Sequence, residues 1–192
     1  MWAKIDDSSE DALVSQLIVA ARMAAEEYLR RSLITQSWKL SLDLAASSIY
    51  GCLEDGVYDL PVTAMYGGLP STIALPRAPI QSITSIITYD LNNTPSTFDP
   101  ANYHLDTAGE RLNLSYGAMW PTNLRQLAAC EITYVAGYGS TPASVPQPIK
   151  SAMLIHIASL YEQRGQCEDE MALPPGAMHL LNRYRILGER RG

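Results

Sequence analysis

The spacing of apolar residues changes twice along this chain, from a helical period to a strand period and back. Between residues 8 and 31, apolar side chains recur every three or four positions. They form one stripe, which consists of Leu13, Leu17, Ala21, Ala24 and Tyr28 and is widened by Val14, Ile18, Ala25 and Leu29. Ser8 precedes the stripe as a candidate helix cap within an acidic cluster. The helical spacing returns over residues 146–166 and 177–188, so helices are predicted at both ends of the chain.

The region between these helices, residues 35–137, has the two-residue period of β-strands. Alternation is clearest over residues 36–44, and a second pair of alternating runs, YHLD and RLNLSY, predicts a hairpin. Residues 82–90 are rich in isoleucine and threonine, which predicts a strand covered on both faces. Two prolines in residues 73–80 predict an extended segment or the edge strand of a sheet. The weakly patterned stretch 45–72 predicts a long loop.

The order of these elements restricts the fold class. No helix separates one predicted strand from the next, which argues against a parallel βαβ sheet. We therefore predict an α+β fold, in which the terminal helices form a small helical bundle and an antiparallel β-sheet region is inserted between them. A length of 192 residues favours a single domain over residues 1–192.

Composition excludes several classes of protein. The formal net charge of −6 argues against a dedicated nucleic-acid binder, which would carry a basic face. Cys52, Cys130 and Cys167 have neither disulfide-framework nor zinc-ligand spacing, which favours a reducing compartment. The sequence shows neither an apolar run of membrane-spanning length nor an apolar signal core, so we predict a soluble protein made in the cytoplasm, with no membrane partner.

The two glycines of Gly137-Tyr138-Gly139 form the one motif that resembles a phosphate loop. A dinucleotide loop needs a third glycine where this chain has Pro142, and the lysine of a Walker loop is absent. We interpret the glycines as a turn that ends the last strand. His104, His156 and His179 lack metal-ligand spacing, and His156 lies on an apolar helix stripe, as a core or interface histidine does. We therefore predict no enzyme, catalytic residue, metal site or cofactor, and leave open an enzyme with a dispersed site.

Several segments in a fixed order resemble the head–tail connector (adaptor) family of long-tailed bacteriophages. After the first helix they read LITQSWKLSLD, LPRAPIQSITSIITYD, YHLD with RLNLSYGAMWP, and ITYVAGYG followed by VPQPIKSAMLIHIASLYEQR. The resemblance covers about residues 8 to 166. The stretch of about 46–72 is longer than the family pattern, and the last 25 residues match it less closely.

The resemblance implies a structural role in the virion neck, with synthesis in the host cytoplasm. Proteins of this kind form a ring, expected to be twelve-fold, beneath the portal protein. They extend the DNA channel and provide the platform for a stopper or tail-completion protein. Packaged DNA would pass through the lumen without sequence-specific binding, which the acidic balance suits. A different neck protein, a stopper or a tail terminator, stays open as the alternative.

Two sets of contact residues follow as hypotheses. The family's C-terminal helical segment reaches toward the portal, and here that segment is basic and partly apolar. Its candidate portal-binding residues are Arg183, Tyr184, Arg185, Ile186 and Leu187; the alternative is compensation of the helix dipole. Tyr50, Tyr58 and Tyr66 on the long loop are candidates for subunit or tail-side contacts, because tyrosine combines an apolar ring with a polar tip.

Overall fold

The computed structural model describes residues 10–44, 68–162 and 173–186, which fold as two compact units. The first unit combines the described residues up to Thr35 with those from Gly137 onward, and the second unit is Gln36–Ala136. The described helices of regular α type lie in the first unit and the strands lie in the second. The predicted α+β class with antiparallel sheets is confirmed. The single domain over residues 1–192 stays a prediction.

The first unit contains three helices: α1 (Asp11–Leu29), α2 (Gln147–Glu162) and α3 (Pro175–Asn182). α1 begins after Glu10, whose side chain makes no capping hydrogen bond, and the predicted cap Ser8 lies outside the described residues. It ends because Arg30 adopts a left-handed conformation, with φ of 55°. The Arg30 N–H donates to the carbonyls of the last helical turn, as at many helix ends.

Antiparallel packing of α1 against α2 builds the core of this unit. Glu10, before α1, accepts a hydrogen bond from the Tyr161 hydroxyl near the end of α2. At the other end, Leu29 belongs to the same buried cluster as Ile149, near the start of α2. The cluster consists of Ala25, Leu29, Leu33, Val145, Ile149, Ala152, Ala177 and Leu181. The small alanines on all three helices allow their backbones to approach closely.

The buried side of α1 is rotated relative to the predicted stripe. The fully buried positions are Ala21, Ala25 and Leu29, spaced by four residues. Leu17, Ala24 and Tyr28, from the centre of the predicted stripe, are only half-buried. A stripe this wide does not specify which of its two margins faces the core, because alanine suits either side.

The second unit contains two antiparallel sheets. The four-stranded sheet has the order β1 (Gln36–Leu42), β7 (Cys130–Ala136), β3 (Ile80–Tyr89) and β4 (Pro95–Thr97). The three-stranded sheet has the order β2 (Thr72–Ala74), β6 (Arg111–Leu114) and β5 (Tyr103–Asp106). β5 and β6 form the predicted hairpin, and β2 is an edge strand, as the prolines that follow it predicted. The predicted loop 45–72 is described only from residue 68.

Strand β3 corrects one prediction from the sequence. Its isoleucines and threonines indicated burial on both faces, yet Gln81, Ser82 and Thr84 are exposed. Its buried side chains are Ile80 at the start and Ile86 and Thr88 in the second half. The strand is central by hydrogen bonding, between β7 and β4, without being covered on both faces over its whole length.

Candidate assembly site

The C-terminal segment leaves α3 earlier than the sequence predicted. The predicted helix over 177–188 begins at Pro175, because proline fits the first helical turn, and ends at Asn182. The next residues turn: Tyr184 N–H donates to Leu181 O at 2.9 Å, and Ile186 N–H donates to Leu29 O at 3.1 Å. Residues 183–186 therefore run along the end of α1 rather than along one face of a helix.

Three contacts hold this segment against α1. The Tyr28 hydroxyl donates to Asn182 Oδ1 at 2.6 Å, and Arg31 Nε donates to the Tyr184 carbonyl at 2.6 Å. The Arg185 guanidinium lies over the Tyr28 ring, 4.7 Å from its centroid, in cation–π geometry. The backbone of residues 183–186 is thus fixed by α1 within the first unit.

These contacts bring together two pairs of arginines from opposite parts of the sequence. We call Arg30, Arg31, Arg183 and Arg185 the arginine cluster. Arg30, Arg183 and Arg185 are exposed. Guanidinium groups form bidentate hydrogen bonds with carboxylates, so the cluster suits an acidic protein surface. The sequence predicted only the second pair; the RR dipeptide at residues 30 and 31 was a signal for the first, but it also fits compensation of the helix dipole.

The other predicted contact residues divide between described and undescribed parts of the chain. Tyr184 and Ile186 are half-buried against the first unit, so part of each side chain serves the fold. Leu187 lies outside the described residues, as do Tyr50, Tyr58 and Tyr66 of the long loop. Of the four described members of the predicted portal-binding set, Arg183 and Arg185 are exposed and Tyr184 and Ile186 are not.

The two glycines after β7 form a tight turn that is hydrogen-bonded to residues 33–35. Tyr138 N–H donates to Leu33 O at 3.2 Å, and Gly139 O accepts from Thr35 N–H at 3.0 Å. At Gly137, with φ of 136°, an added Cβ would lie 2.6 Å from backbone atoms of Ile34 and Thr35. The interpretation as a turn ending the last strand agrees with this geometry, because a phosphate loop presents its backbone N–H groups to a ligand.

Reactive or ionisable side chains elsewhere in the described residues have structural roles. Burial raises the pKa of the Cys130 thiol to about 12, which keeps it protonated and unreactive. Among the described residues, no group of three or more histidine, cysteine or acidic side chains is arranged to hold a metal ion. A pocket of about 370 Å³ is lined by Thr88, Asp90 and neighbouring hydroxyl side chains. The Asp90 carboxylate accepts the N–H groups of Asn92 and Thr94 and so stabilises its own turn.

No described helix combines the length and the apolar character that crossing a membrane requires. Comparison with curated proteins found no match. Comparison with solved structures found similar folds in neck and virion components of gene transfer agent particles.

One similar chain comes from the neck of an empty gene transfer agent particle computed with C6 symmetry: TM-score 0.70, 23% identity, 99% of this chain and 85% of that chain covered. A second is from the virion of a native particle, with TM-score 0.71, 23% identity and the same coverage of 99% and 85%. A third, from the neck of a native particle computed with C12 symmetry, has TM-score 0.67 and 22% identity, and the match covers 100% of this chain and 98% of that chain. At these identities the likeness establishes the fold.

A family model supplies the relationship that the fold alone does not. The model of the phage gp6-like head-tail connector protein matches residues 1–99. The matched part includes α1, β1 and β3, and so spans elements of both compact units. The chain therefore belongs to the phage gp6-like head-tail connector protein family.

Proposed function

We propose that this protein is a structural head–tail connector that forms a ring beneath the portal in the neck of a phage-like particle. The observation that carries the proposal is the family match over residues 1–99. The likeness of almost the whole chain to neck components of particles computed with C6 and C12 symmetry supports it. The ring, expected to be twelve-fold, extends the DNA channel and is the docking platform for a stopper or tail-completion protein.

The role is mechanical rather than catalytic. The described residues offer rigid packing: fully buried Leu29, Ile149 and Leu181 fix the helices of the first unit. The formal charge of −6 suits a conduit through which DNA passes without sequence-specific binding. Localisation in the virion neck follows from the same proposal, with Tyr50, Tyr58 and Tyr66 as the candidates for tail-side or subunit contacts.

The arginine cluster is the proposed portal-docking site. Its backbone is held by Leu29 and Arg31, and the Tyr28 ring orients the Arg185 guanidinium before binding. Preorganised groups lose less conformational entropy on association than a frayed tail does. An acidic segment of the portal would pair with Arg183 and Arg185, assisted by Arg30.

Neutralising substitutions test this assignment without damage to the core. Deleting residues 177–192 would remove Ala177 and Leu181, which are fully buried, so loss of binding would not be specific. We therefore choose the double variant Arg183→Gln/Arg185→Gln. The matched control is Lys39→Gln/Arg111→Gln, which removes two cations of the second unit whose side chains are 60% and 52% exposed. Because Lys39 pairs with Glu131 and Arg111 with Asp106, circular dichroism checks that this control stays folded.

Co-sedimentation with portal rings at two salt concentrations provides the measurement. The cluster variant is expected to bind the portal at least tenfold more weakly, and the wild-type interaction to weaken as salt increases. The control variant should bind as wild type does. Equal binding by both variants would sink the docking site, and a wild-type chain that never joins portal rings would sink the connector role. Binding to DNA fragments that is lost in the cluster variant would instead assign the arginines to phosphate.

A further inference from the structure

A pocket lies in the second unit, between the β3–β4 hairpin and residues 121–124. Its volume is about 370 Å³, and it has six polar lining residues: Thr88, Asp90, Thr94, Ser96, Thr122 and Asn123. A β-bridge between Asp90 and Leu124 joins the two walls. Within the hairpin, Asp90 N–H donates to Thr94 O at 3.2 Å and the Thr88 hydroxyl donates to Ser96 O at 3.3 Å. These bonds set the shape of what we call the Asp90 pocket.

The polar lining of the Asp90 pocket consists of hydrogen-bond acceptors and carries one charge. Hydroxyl, amide and carboxylate oxygens all accept, and none of the described lining residues is a cation. Asp90 Oδ1 accepts the N–H groups of Thr94 and Asn92, each at 2.8 Å. These bonds, that from Thr94 foremost, keep the pKa of the Asp90 carboxyl below its usual range. A carboxylate has about four acceptor positions, so Asp90 can receive a further donor.

The arginine that follows this part of the lining does not neutralise Asp90. Arg125 lies over the Tyr89 ring, 3.9 Å from its centroid. Its Nε donates to Ala128 O at 3.0 Å, and a terminal N–H donates to Asn93 Oδ1 at 3.3 Å. Within the described part of the chain no cation forms an ion pair with Asp90. A ligand that brings its own cation would therefore complement the pocket.

Two exposed leucines lie beside the charged pocket. Leu91 directly follows Asp90 and is 70% exposed, and Leu127, shortly before β7, is 74% exposed. Tyr89 N–H donates to Ala129 O at 3.0 Å, which places both leucines at the end of the sheet where β3 ends and β7 begins. Exposed apolar side chains around a charged pocket suit a ligand that joins a cation to apolar groups.

We infer that the Asp90 pocket binds an arginine side chain with apolar neighbours, presented by the next protein of the neck. The inference rests on the proposed function and adds the residues that hold the tail-side partner. A guanidinium has five N–H donors for the several oxygens of the lining, whereas an ammonium has three. The pocket lies at the end of the sheet opposite the paired residues Gln36 and Ala136, which continue in sequence into the first unit. It is thus a site separate from the arginine cluster and opposite in charge.

A short peptide tests this chemistry without the rest of the neck. The probe is acetyl-Leu-Arg-Leu-amide. Its matched control, acetyl-Leu-citrulline-Leu-amide, keeps the shape of the side chain and loses its charge. Amide chemical shifts of the isotope-labelled full chain report where each peptide binds. We expect the arginine peptide to shift the amides of Asn92, Thr94 and Asn123 and to bind about tenfold more tightly than the citrulline peptide.

An isosteric variant tests the pocket itself. Asp90→Asn removes the charge and keeps an Oδ1 that can accept the two N–H groups of the turn. The matched control is Asp99→Asn, because Asp99 is exposed, lies outside the pocket and likewise accepts a local N–H, that of Ala101 at 2.9 Å. Tryptophan fluorescence checks that both variants stay folded. If Asp90→Asn fails to fold, the comparison of the two peptides on wild type still decides the chemistry.

The second measurement uses assembled rings. Portal rings that carry the chain are mixed with the tail-completion protein of the same particle, and the bound fraction is measured by co-sedimentation. Asp90→Asn should bind both the arginine peptide and the tail-completion protein about tenfold more weakly, with unchanged binding to the portal. Asp99→Asn should match wild type in all three measurements.

Equal binding of the two peptides would overturn the inference, because the pocket would then not recognise charge. Unchanged binding of the tail-completion protein by Asp90→Asn would also overturn it, and loss of ring closure in that variant would then assign the pocket to a neighbouring copy. Arginine-specific binding by a chain that never joins portal rings would support the chemistry of the pocket and overturn the connector role.

Discussion

Replacing Gly137 by alanine probes the turn that ends β7. The substitution adds a single methyl group. That group would lie 2.6 Å from the Ile34 carbonyl carbon and oxygen and from the Thr35 nitrogen, all of which are backbone atoms. Backbone atoms cannot rotate away as the end of a side chain can. The φ of 136° is in addition a conformation that residues with a Cβ rarely adopt.

Two terms set the expected magnitude. Holding a residue with a Cβ in such a conformation destabilises the folded state by about 1–3 kcal/mol. Moving packed backbone to relieve the clash adds about 1–3 kcal/mol. Gly137→Ala should therefore lower the free energy of unfolding by roughly 2–6 kcal/mol, a large part of the roughly 5–15 kcal/mol that stabilises a typical domain.

Urea unfolding followed by circular dichroism at 222 nm measures the effect, because the described α-helices lie in the first unit together with Gly137. Gly176→Ala is the first control: the same methyl group meets nothing within 4 Å and lies in α3, so stability should rise by up to about 1 kcal/mol. Gly117→Ala is the second control. Gly117 lies in the second unit, with φ of 79° and open space, so the unfolding of this variant is followed by the fluorescence of Trp38 and Trp120, and it isolates the backbone term at about 1–2 kcal/mol.

The losses of stability in Gly137→Ala and Gly117→Ala are compared to test the proposed clash. If Gly137→Ala is no more destabilising than Gly117→Ala, the clash with Ile34 and Thr35 is relieved without strain, and the turn is not a tight constraint. If Gly176→Ala also lowers the free energy of unfolding by several kcal/mol, any added methyl group perturbs the first unit. The effect of Gly137→Ala could then not be assigned to the clash with Ile34 and Thr35.

Three further predictions concern single side chains. Burial lowers the pKa of His156, so as pH falls below about 6.5 the unfolded chain takes up a proton before the folded chain does, and the free energy of unfolding decreases. His156→Leu should abolish this decrease, measured by urea unfolding at pH 7.5 and 5.0. At pH 7.5 the variant should be about 1 kcal/mol more stable than wild type, because Nδ1 has no partner among the described residues. Hydrogen bonds from Lys39 and Tyr89 lower the pKa of Glu131, so its carboxylate stabilises the fold at pH values above the usual glutamate pKa, and this stabilisation is lost as pH falls. Glu131→Gln should therefore reduce the change in the free energy of unfolding between pH 6 and pH 3, measured by urea unfolding with tryptophan fluorescence. A change as large as that of wild type would refute the linkage. Leu181→Ala, at a fully buried position, should cost about 2–5 kcal/mol by urea unfolding, and a loss below 1 kcal/mol would show that the core closes around the gap.

Local periodicity predicted the helices and the strands other than β4 (Pro95–Thr97). The alternation in β1 and in the β5–β6 hairpin, and the helical spacing at both ends, each depend on neighbours within a few residues. The bounds that were wrong depend on distant partners. α3 was extended to residue 188 because Tyr184 and Leu187 fit a helical spacing. In the structure the chain turns away because Ile186 bonds to Leu29 and Arg31 bonds to the Tyr184 carbonyl.

In the candidate site, too, features set by neighbouring residues were predictable and features set by distant residues were not. The basic C-terminal segment was visible in the sequence because Arg183 and Arg185 are close together. That Arg30 and Arg31 join them could not be predicted, since more than 150 positions separate the two pairs along the chain. The orientation of α1 was hidden for a related reason: which margin of a wide apolar stripe faces the core is a tertiary property.

Helix α1 has two roles in the first unit. Its inward side, Ala21 to Leu29, packs in the core. Its C-terminal end, through Leu29 and the following Arg31, holds the backbone of residues 183–186. The position of the arginine cluster therefore depends on the core that fixes α1. Leu181→Ala should accordingly weaken portal binding although Leu181 is fully buried and cannot contact the portal, whereas a cluster that is held independently of the core would bind as wild type does.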